Sequence, residues 1–522
     1  MTIKLQKIVF AFFAATISLS LSAQNELWVK TSPEKYNNDP KARRNAIPDK
    51  AEYYQLDLNL LKTKLVGAPV RGQFTGQSNL IISFPNAYGE LEQFRVMESP
   101  IMHPILAAKY PMIKTYAAQG IDDPTATMRF SITQFGLHTM VLSGLHSANY
   151  IDPYTTTSNV YMVYDKKSLG ANTQNFSCLT DEEVKLPSLT NDVAKVLNID
   201  DQKLRTYRLA QSCNAEYGNI FAGTGTLAQQ KANIQAQMVL TINRVNGVYE
   251  RDLSITMEFV PNNDLIIYCG STTTDPWSNE WNTKTAQTID AAIGVANYDI
   301  GHNFNTTGGG NAGCLACVCL STSQTGTHKG RGYTGSTNPT GDPFDIDYVA
   351  HEMGHQLGAN HTQNNSCQRN NDTALEPGSA SSIMGYAGIC SPDVQSNSDE
   401  NYHAVSLGEI KSFLAGVGSN CDIPVAGYSN APPNISAPTN NTTYNIPRST
   451  PFALTMTATD PNGNGILYGW DQMNNDIGTM PPAATNTVGP MFRFVEPTTN
   501  PTRYFPNLTA VLTGALVGAP FG

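Results

Sequence analysis

Three histidines and one glutamate stand at spacings that suit a metal ion and a proton acceptor. His351 and His355 are four residues apart, Glu352 follows the first, and His361 follows the second by six. On a helix, residues four apart are neighbours about 5–6 Å from each other, so two imidazoles can bind one ion. Gly358 allows the turn that brings His361 back as a third ligand. Three nitrogen ligands leave one position for water, as in catalytic zinc sites, and Glu352 can take a proton from that water.

A methionine follows the third histidine. Met384 stands in the stretch SIMGY, about twenty residues after His361. The extended HExxHxxGxxH motif with such a methionine turn resembles the metzincin metallopeptidases. The resemblance implies that Met384 lies beneath the metal and that Tyr386 ligates zinc at rest or stabilises the tetrahedral intermediate; a tyrosine that only packs is the alternative. It also implies Zn²⁺ held by His351, His355 and His361, with Glu352 as general base in peptide-bond hydrolysis.

The segment from about Leu204 to Cys421 resembles the reprolysin (adamalysin)-like metzincins in their bacterial secreted form. Two positions depart from that group. Reprolysins usually have aspartate after the third histidine, where this chain has Thr362, and they usually lack a tyrosine at Tyr386. Both departures resemble the pappalysin-like metzincins, our second choice. The reprolysin-like resemblance rests on YDIGH at 298–302, GGG at 308–310 leading into GCLA at 313–316, and SSIMGYAGIC at 381–390.

The same resemblance implies a place for the substrate. Gly313 to Leu320 would be the edge strand above the cleft, and an extended peptide would pair with its free edge. A strand that is simply held by disulfides is the alternative. Asp299 resembles a position that binds structural Ca²⁺ in adamalysins. The implied partner is therefore a protein or peptide substrate.

The first residues have the order of a secretory signal peptide. Lys4 and Lys7 precede an apolar run from Ile8 to Leu19, and small residues from Ser20 to Ala23 form a cleavage region. The apolar run is too short to span a membrane. We therefore expect a secreted, extracellular protein, with attachment to the cell surface left open.

Composition narrows the function classes. The 522 residues carry a net charge of −10, and no run of five or more basic residues occurs. Nucleic acid is therefore excluded as a partner. No later stretch offers about 18 consecutive apolar residues, so we expect no transmembrane segment in the mature chain. We expect a monomer.

Patterning along the chain indicates several domains. Alternation at 79–84 and 127–132 predicts strands in a β-rich region. Helical spacing from Leu227 to Val245 predicts a helix that ends near Gly247, and 285–298 predicts another; 253–259 alternates as a strand. A polar stretch, 181–202, reads as an exposed linker with Lys203 and Arg205 as processing points. The predicted order is signal peptide (1–23), β-rich propeptide (24–205), α/β (α+β) metzincin catalytic domain with a mixed twisted sheet and a zinc-site helix (206–424), and a small immunoglobulin-like β-sandwich (425–522) that we interpret as truncated.

Nine cysteines leave at least one thiol without an intramolecular partner. Eight lie in one later segment and can form four disulfides, which leaves Cys178 in the propeptide. Metzincin zymogens often block zinc with a propeptide thiolate, and a soft thiolate suits zinc. Cys178 is thus a candidate zymogen switch, although its context NFSCLT matches no switch consensus. A buried free cysteine is the alternative, and the histidines of this region, His103, His138 and His146, are interpreted as structural.

The sequence-level conclusion is a secreted zinc metalloendopeptidase made as a zymogen. The alternative from another class is a secreted adhesin or binding module with a vestigial metal site. Intact Glu352 argues against it, because loss of the base is the simplest route to a dead enzyme. A metallohydrolase acting on something other than protein is a minor option.

Overall fold

A computed structural model describes residues 27–74, 76–170, 176–180, 201–436, 443–447, 449–483 and 485–514. The predicted signal peptide (1–23) lies outside the described residues, and so does most of the predicted linker. We call residues 27–180 the N-terminal unit, residues 201–424 the central unit and residues 425–514 the C-terminal segment. Within the described residues, no helix combines the length and the apolar character needed to cross a membrane.

Within its described residues, the N-terminal unit is an antiparallel sheet of nine strands in the order β1-β2-β9-β8-β7-β6-β5-β4-β3. The strands predicted at 79–84 and 127–132 correspond to β3 and β6. Two short helices, α1 (Leu58–Leu65) and α2 (Pro104–Lys109), join the strands. The strands are β1 (Trp28–Lys30), β2 (Glu52–Leu56), β3 (Ile81–Pro85), β4 (Leu91–Glu98), β5 (Lys114–Gly120), β6 (Thr127–Thr133), β7 (Gly136–Leu142), β8 (Asn149–Pro153) and β9 (Val160–Asp165).

The central unit is built on a mixed sheet in the order β11-β10-β12-β14-β13, with β17 beside β10. The pairs among β11, β10, β12 and β14 are parallel, whereas β13 and β17 run antiparallel to their neighbours. A separate parallel pair, β15 with β16, lies outside this sheet. The strands are β10 (Arg205–Cys213), β11 (Ile255–Phe259), β12 (Ile300–Asn305), β13 (Gly310–Asn311), β14 (Gly332–Gly335), β15 (Gln363–Asn364), β16 (Glu376–Pro377) and β17 (Ile423–Pro424).

Helices cover both the sheet and the motif region of the central unit. A π-helical segment, Pro343–Ala350, runs directly into α6 (His351–Gln356). Stretches of π-helix are rare and occur frequently at functional sites. The other helices are α3 (Ala215–Phe221), α4 (Leu227–Leu253), α5 (Trp281–Ile293) and α7 (Ala404–Leu414).

The helix predicted to end near Gly247 continues to Leu253, so that prediction was wrong. Gly247 is an interior residue of α4, at which a β-carbon would lie 2.6 Å from the side chain of Met140 in β7. The glycine therefore serves close packing of the helix on the N-terminal sheet rather than helix termination. The helix ends instead at Leu253, and its C-cap residue Ser254 adopts a left-handed conformation with φ +54°.

The start of β10 corrects a second prediction. Arg205, expected at an exposed processing point, is buried and pairs with Asp422 at 3.2 Å. Its strand position explains this burial, because β10 lies between β11 and β17 at that point. A protease would have to open the sheet to reach this bond.

The C-terminal segment does not form the expected sandwich within its described residues. It contains two separate two-stranded sheets, β18 with β20 and β19 with β21. The stretch around Tyr468, expected as a strand, makes only an isolated bridge to Thr498. Its elements are β18 (Asn434–Ser436), β19 (Phe452–Thr455), β20 (Thr457–Thr459), β21 (Thr502–Phe505) and α8 (Leu508–Thr513).

The structure forms three disulfides rather than the expected four. The bonds are Cys314–Cys317, Cys319–Cys421 and Cys367–Cys390. Besides Cys178, the free thiols are those of Cys213 and Cys269. The Sγ of buried Cys213 donates to the carbonyl oxygen of Tyr268 at 3.6 Å instead of forming a bond to another sulfur.

Candidate metal centre

The three motif histidines converge on one point in the core. His351 and His355 lie on α6, and His361 returns after Gly358, whose φ is +107°. The Nε2 atoms lie 3.2 Å apart for His351–His361, 3.2 Å for His351–His355 and 3.1 Å for His355–His361. In a tetrahedral centre with Zn–N bonds of about 2.0–2.1 Å, ligand nitrogens are about 3.3 Å apart. The donor set therefore fits zinc.

The protein orients two of these rings through their other nitrogen. The Nδ1 of His351 lies 2.8 Å from the carbonyl oxygen of Ile383, and the Nδ1 of His355 lies 2.6 Å from that of Ala359. A carbonyl oxygen only accepts, so Nδ1 carries the proton and Nε2 keeps its lone pair for a metal. Burial also lowers the pKa of His351 and of His361 to about 3. These rings are therefore held neutral, as ligation requires.

Met384 lies beneath the helix that carries the ligands. It is fully buried, and a β-carbon added at Gly354 would lie 2.8 Å from its Sδ. Only a glycine in α6 leaves room for the sulfur at this place. The methionine turn thus packs directly on the helix between the two histidine positions.

Tyr386 lies next to the third histidine but directs its hydroxyl elsewhere. The ring centroids of Tyr386 and His361 are 4.7 Å apart. The phenol hydroxyl donates to the side-chain oxygen of Gln368. In this arrangement, the tyrosine packs on the ligand while its oxygen is hydrogen-bonded to a neighbouring loop.

Glu352 lies beside the ligands and fully buried. Burial raises the pKa of its carboxyl to about 8. Edge strand β13 passes against this carboxylate, and a β-carbon at Gly310 would collide with it. The glutamate therefore faces the space between the histidines and the edge of the sheet.

Residues 176–180 of the N-terminal unit enter this space. The Sγ of Cys178 lies 3.5 Å from Nε2 of His355. Cys178 and the three histidines each offer one ligand atom, and these four atoms lie within 4.8 Å of one another. All four residues are buried. The structure thus brings together the three motif histidines and Cys178, which comes from the N-terminal unit.

The backbone of this segment pairs with the edge strand. The amide of Leu179 donates to the carbonyl of Gly310 at 2.8 Å, and the amide of Gly310 donates to that of Ser177 at 3.0 Å. The bridge between Cys178 and Gly310 is parallel. Nearby, the ring of Phe176 stacks on Tyr348 with centroids 3.9 Å apart.

Thr180 completes the contact and was missed by the sequence reasoning. Its Oγ1 accepts from the amide of Ala312 at 2.9 Å and donates to Oε2 of Glu352 at 3.0 Å. Only its position two residues after Cys178 could have drawn attention to it.

The predicted edge strand, Gly313–Leu320, was wrong. The edge is β13, and residues 313–320 form turns in which the amides of Ala316 and Cys317 donate to carbonyls at the end of α6, at 3.0 and 2.9 Å. The Cys314–Cys317 disulfide explains this difference. Its Cα atoms are 5.9 Å apart, whereas three residues of extended chain span about 10 Å.

The remaining predicted positions lie away from the histidines. Asp299 is buried and accepts from the guanidinium of Arg208, at 3.0 Å from Nε and 2.6 Å from Nη2. An arginine therefore compensates the carboxylate that resembled a calcium ligand. His103 caps α2 through the amide of Ile105, and His146 lies against the ring of Tyr88.

Comparison with known proteins agrees with this geometry. Residues 204–413 match the family model described as metallo-peptidase family M12B, reprolysin-like. No curated protein matches the chain. The match covers the histidines, Glu352 and the methionine turn, and it supports a zinc-dependent metallopeptidase that acts on protein. It favours the reprolysin-like resemblance of the central unit over the pappalysin-like one.

Proposed function

We propose that this protein is an exported zinc endopeptidase made as a zymogen, with Glu352 as general base. The observation that carries the proposal is the convergence of three imidazole Nε2 atoms beside a buried carboxylate at the edge strand of a sheet. His351, His355 and His361 hold the metal, and Met384 supports the helix from below.

The chemistry follows from the positions of these groups. Bound zinc supplies Lewis acidity to a water molecule and to the scissile carbonyl. Glu352 accepts the proton of the attacking water and returns it to the leaving amine, and no covalent intermediate forms. Tyr386 serves chiefly as a packing residue, because its hydroxyl is held by Gln368; release from that bond would let it stabilise the developing oxyanion.

The substrate lies extended along β13. Gly310 already uses its amide and carbonyl to bind the backbone of residues 177–179. An extended peptide would satisfy the same groups by adding a strand to the sheet. Substrate and N-terminal unit would therefore compete for one edge, which makes residues 176–180 a built-in inhibitor.

Two contacts close the active centre in the zymogen. The Sγ of Cys178 lies beside the three histidine nitrogens, where its thiolate would bind zinc as a soft ligand and keep water out. Thr180 engages Glu352, so the general base is hydrogen-bonded before any substrate arrives. The inhibited state thus blocks both the metal and the base.

Buried charges fix the N-terminal unit on the central unit. Lys166 places its ammonium 2.6 Å from Asp342, 3.3 Å from Asp347 and 3.4 Å from Glu400. All four side chains are almost entirely inaccessible to water. Because an uncompensated buried charge is costly, the N-terminal unit and these carboxylates depend on each other.

In a second buried cluster, the central unit supplies the cation that pairs with a carboxylate of the N-terminal unit. Arg244 of α4 reaches Asp152 of the N-terminal unit at 2.6 Å and Asp345 of the central unit at 3.1 Å. Cations thus cross the interface in both directions. This supports a propeptide that folds against the enzyme rather than a loosely attached leader. Export and extracellular location rest on the signal-like N-terminus and agree with the disulfides.

The test is cleavage of casein by the full chain, before and after limited proteolysis, with and without o-phenanthroline. We expect chelator-sensitive activity that appears only after nicking. Glu352→Ala should bind one zinc and lose roughly 10²- to 10⁴-fold in rate, as expected for loss of a general base. Full activity in that variant would exclude the assignment of Glu352. If the wild-type chain binds zinc but stays inactive before and after nicking, a binding protein is favoured instead.

Latency of the zymogen is tested with two cysteine variants, one at the proposed switch and one at a control position. Cys178→Ala should be active before nicking, whereas Cys213→Ala, which removes another buried free thiol, should stay latent. Equal latency in both variants would contradict a switch at Cys178.

A further inference from the structure

A buried carboxylate joins the third histidine to the methionine turn. Glu376 opens β16 and has no exposed surface. Its Oε1 accepts from the hydroxyl of Thr362 at 2.7 Å and from the hydroxyl of Ser382. Its Oε2 accepts from the amides of Ser381 at 3.0 Å and Ser382 at 3.2 Å. All four hydrogen bonds come from neutral donors.

Backbone pairing brings this carboxylate to its place. The amide of Glu376 donates to the carbonyl of Thr362 at 2.9 Å, and the amide of Thr362 donates to that of Met384 at 3.1 Å. Residue 362 is therefore held between β16 and the methionine turn. The side chain of Glu376 links the same three segments, because its carboxylate in β16 accepts hydrogen bonds from Thr362 and from the serines that precede Met384.

Both ends of this network reach a metal ligand. Thr362 is the residue directly after His361. Ser382 is followed by Ile383, whose carbonyl fixes the Nδ1 of His351 at 2.8 Å. A shift of the Glu376 carboxylate would therefore move two of the three imidazoles, through chains of one or two residues each.

We infer that Glu376 is a positioning residue of the metal centre, and that it supplies from β16 the carboxylate that reprolysins carry directly after the third histidine. Thr362 then needs only a hydroxyl, which it donates to that carboxylate. The departure at residue 362 is thus accompanied by a spatial replacement 14 residues later. This inference rests on the proposed zinc function.

The first test is metal affinity of the full chain, measured by competition with a chromophoric chelator. Loss of groups that orient ligands commonly costs 10- to 100-fold in metal affinity. We expect Glu376→Ala to weaken zinc binding at least 10-fold, whereas the exposed control Glu280→Gln should bind as the wild type does. If Glu376→Ala does not fold, Glu376→Gln keeps the shape and tests the charge.

A second readout separates positioning from general stability. With Co²⁺ in place of zinc, the visible spectrum of the variant should change in band position or intensity, because the ligand geometry changes. The rise in melting temperature on adding zinc should also shrink. A variant that loses stability equally with and without metal, with an unchanged spectrum and affinity, would overturn the inference.

Moving the carboxylate from residue 376 to residue 362 gives the most direct test. Thr362→Asp alone puts two carboxylates in contact and should weaken zinc binding. Combined with Glu376→Ala, the same substitution should restore affinity toward the wild type. If the double variant binds zinc no better than Glu376→Ala, the spatial replacement is wrong. If the wild-type chain binds no zinc, the proposed function fails first, so the two failures are distinguishable.

Discussion

The hydroxyl of Thr180 donates a 3.0 Å hydrogen bond to the carboxylate of Glu352, across the boundary between the N-terminal and central units. The same oxygen accepts from the amide of Ala312 on the sheet side of the cleft. One hydroxyl thus bridges the proposed general base and the protein backbone, close to Cys178, which faces the three histidines. The zymogen model predicts that removing either contact weakens latency.

Thr180→Val should raise the activity of the uncut chain. Valine keeps the shape of threonine but cannot donate to Glu352. A hydrogen bond between neutral groups contributes about 0.5–1.5 kcal/mol, so we expect roughly 2- to 10-fold more activity on a quenched fluorescent peptide before any nicking. Thr180→Ser keeps the hydroxyl and should remain as latent as the wild type. Equal silence of all three proteins would show that Cys178 alone suffices.

Lys166→Met should loosen the N-terminal unit. The substitution leaves three carboxylates without their buried cation, and breaking such a cluster costs about 3–5 kcal/mol. We expect faster hydrogen exchange in β8 and β9, measured by mass spectrometry, and easier activation by protease. Lys167→Met is the matched control, since that side chain is 71% exposed. Identical exchange in both variants would contradict the role given to Lys166.

His302 should make the stability of the central unit depend on pH. Its Nδ1 lies 2.8 Å from Oε1 of Gln356 and its Nε2 lies 2.9 Å from Oγ1 of Thr334. Burial lowers the pKa of His302 to about 4 from an ordinary 6.5. Below pH 6.5 the unfolded chain takes up a proton that the folded chain refuses until about pH 4. The free energy of unfolding should therefore fall as pH drops through this window.

The size of that effect is measurable against a variant. At about 1.4 kcal/mol per pH unit, His302 should contribute a loss of roughly 3 kcal/mol between pH 6.5 and 4. His302→Asn lacks the titrating ring and keeps a donor toward Gln356. Urea unfolding at both pH values should show a smaller pH-dependent loss for His302→Asn. The same loss in both proteins would exclude His302 as its source.

Peptide mapping should find three disulfides. Under non-reducing conditions we expect the pairs Cys314–Cys317, Cys319–Cys421 and Cys367–Cys390. After denaturation, an alkylating reagent should label Cys178, Cys213 and Cys269. Finding Cys213 disulfide-bonded to Cys269 would restore the four-bridge prediction and remove Cys213→Ala as a control.

The convergence of the three motif histidines could be predicted because their geometry is local. His351 and His355 are fixed by the rise of one helix, and Gly358 sets the return of His361 through a single backbone angle. The same holds for the alternating strands of the N-terminal sheet. In each case a few consecutive residues determine the outcome, so a spacing rule is enough.

The contacts that could not be predicted are set by tertiary packing. A glycine at position 247 suggests a helix end, but in the structure the side chain of Met140 from the N-terminal unit packs where a β-carbon at this position would lie. Glu376 belongs to no motif, and its importance comes from strand pairing that puts it beside Thr362. Thr180 acts only because the N-terminal unit folds onto the cleft. None of these contacts corresponds to a spacing pattern in the sequence, so no spacing rule predicts them.

The Cys319–Cys421 disulfide closes a covalent ring of the chain. Helix α6, the return to His361 and the methionine turn all lie inside this ring. A single cut between these cysteines would therefore leave one connected molecule, in which both fragments keep their parts of the candidate metal centre. An enzyme that works among its own active copies gains tolerance to self-digestion from such a ring, and an internal nick would become visible only after reduction.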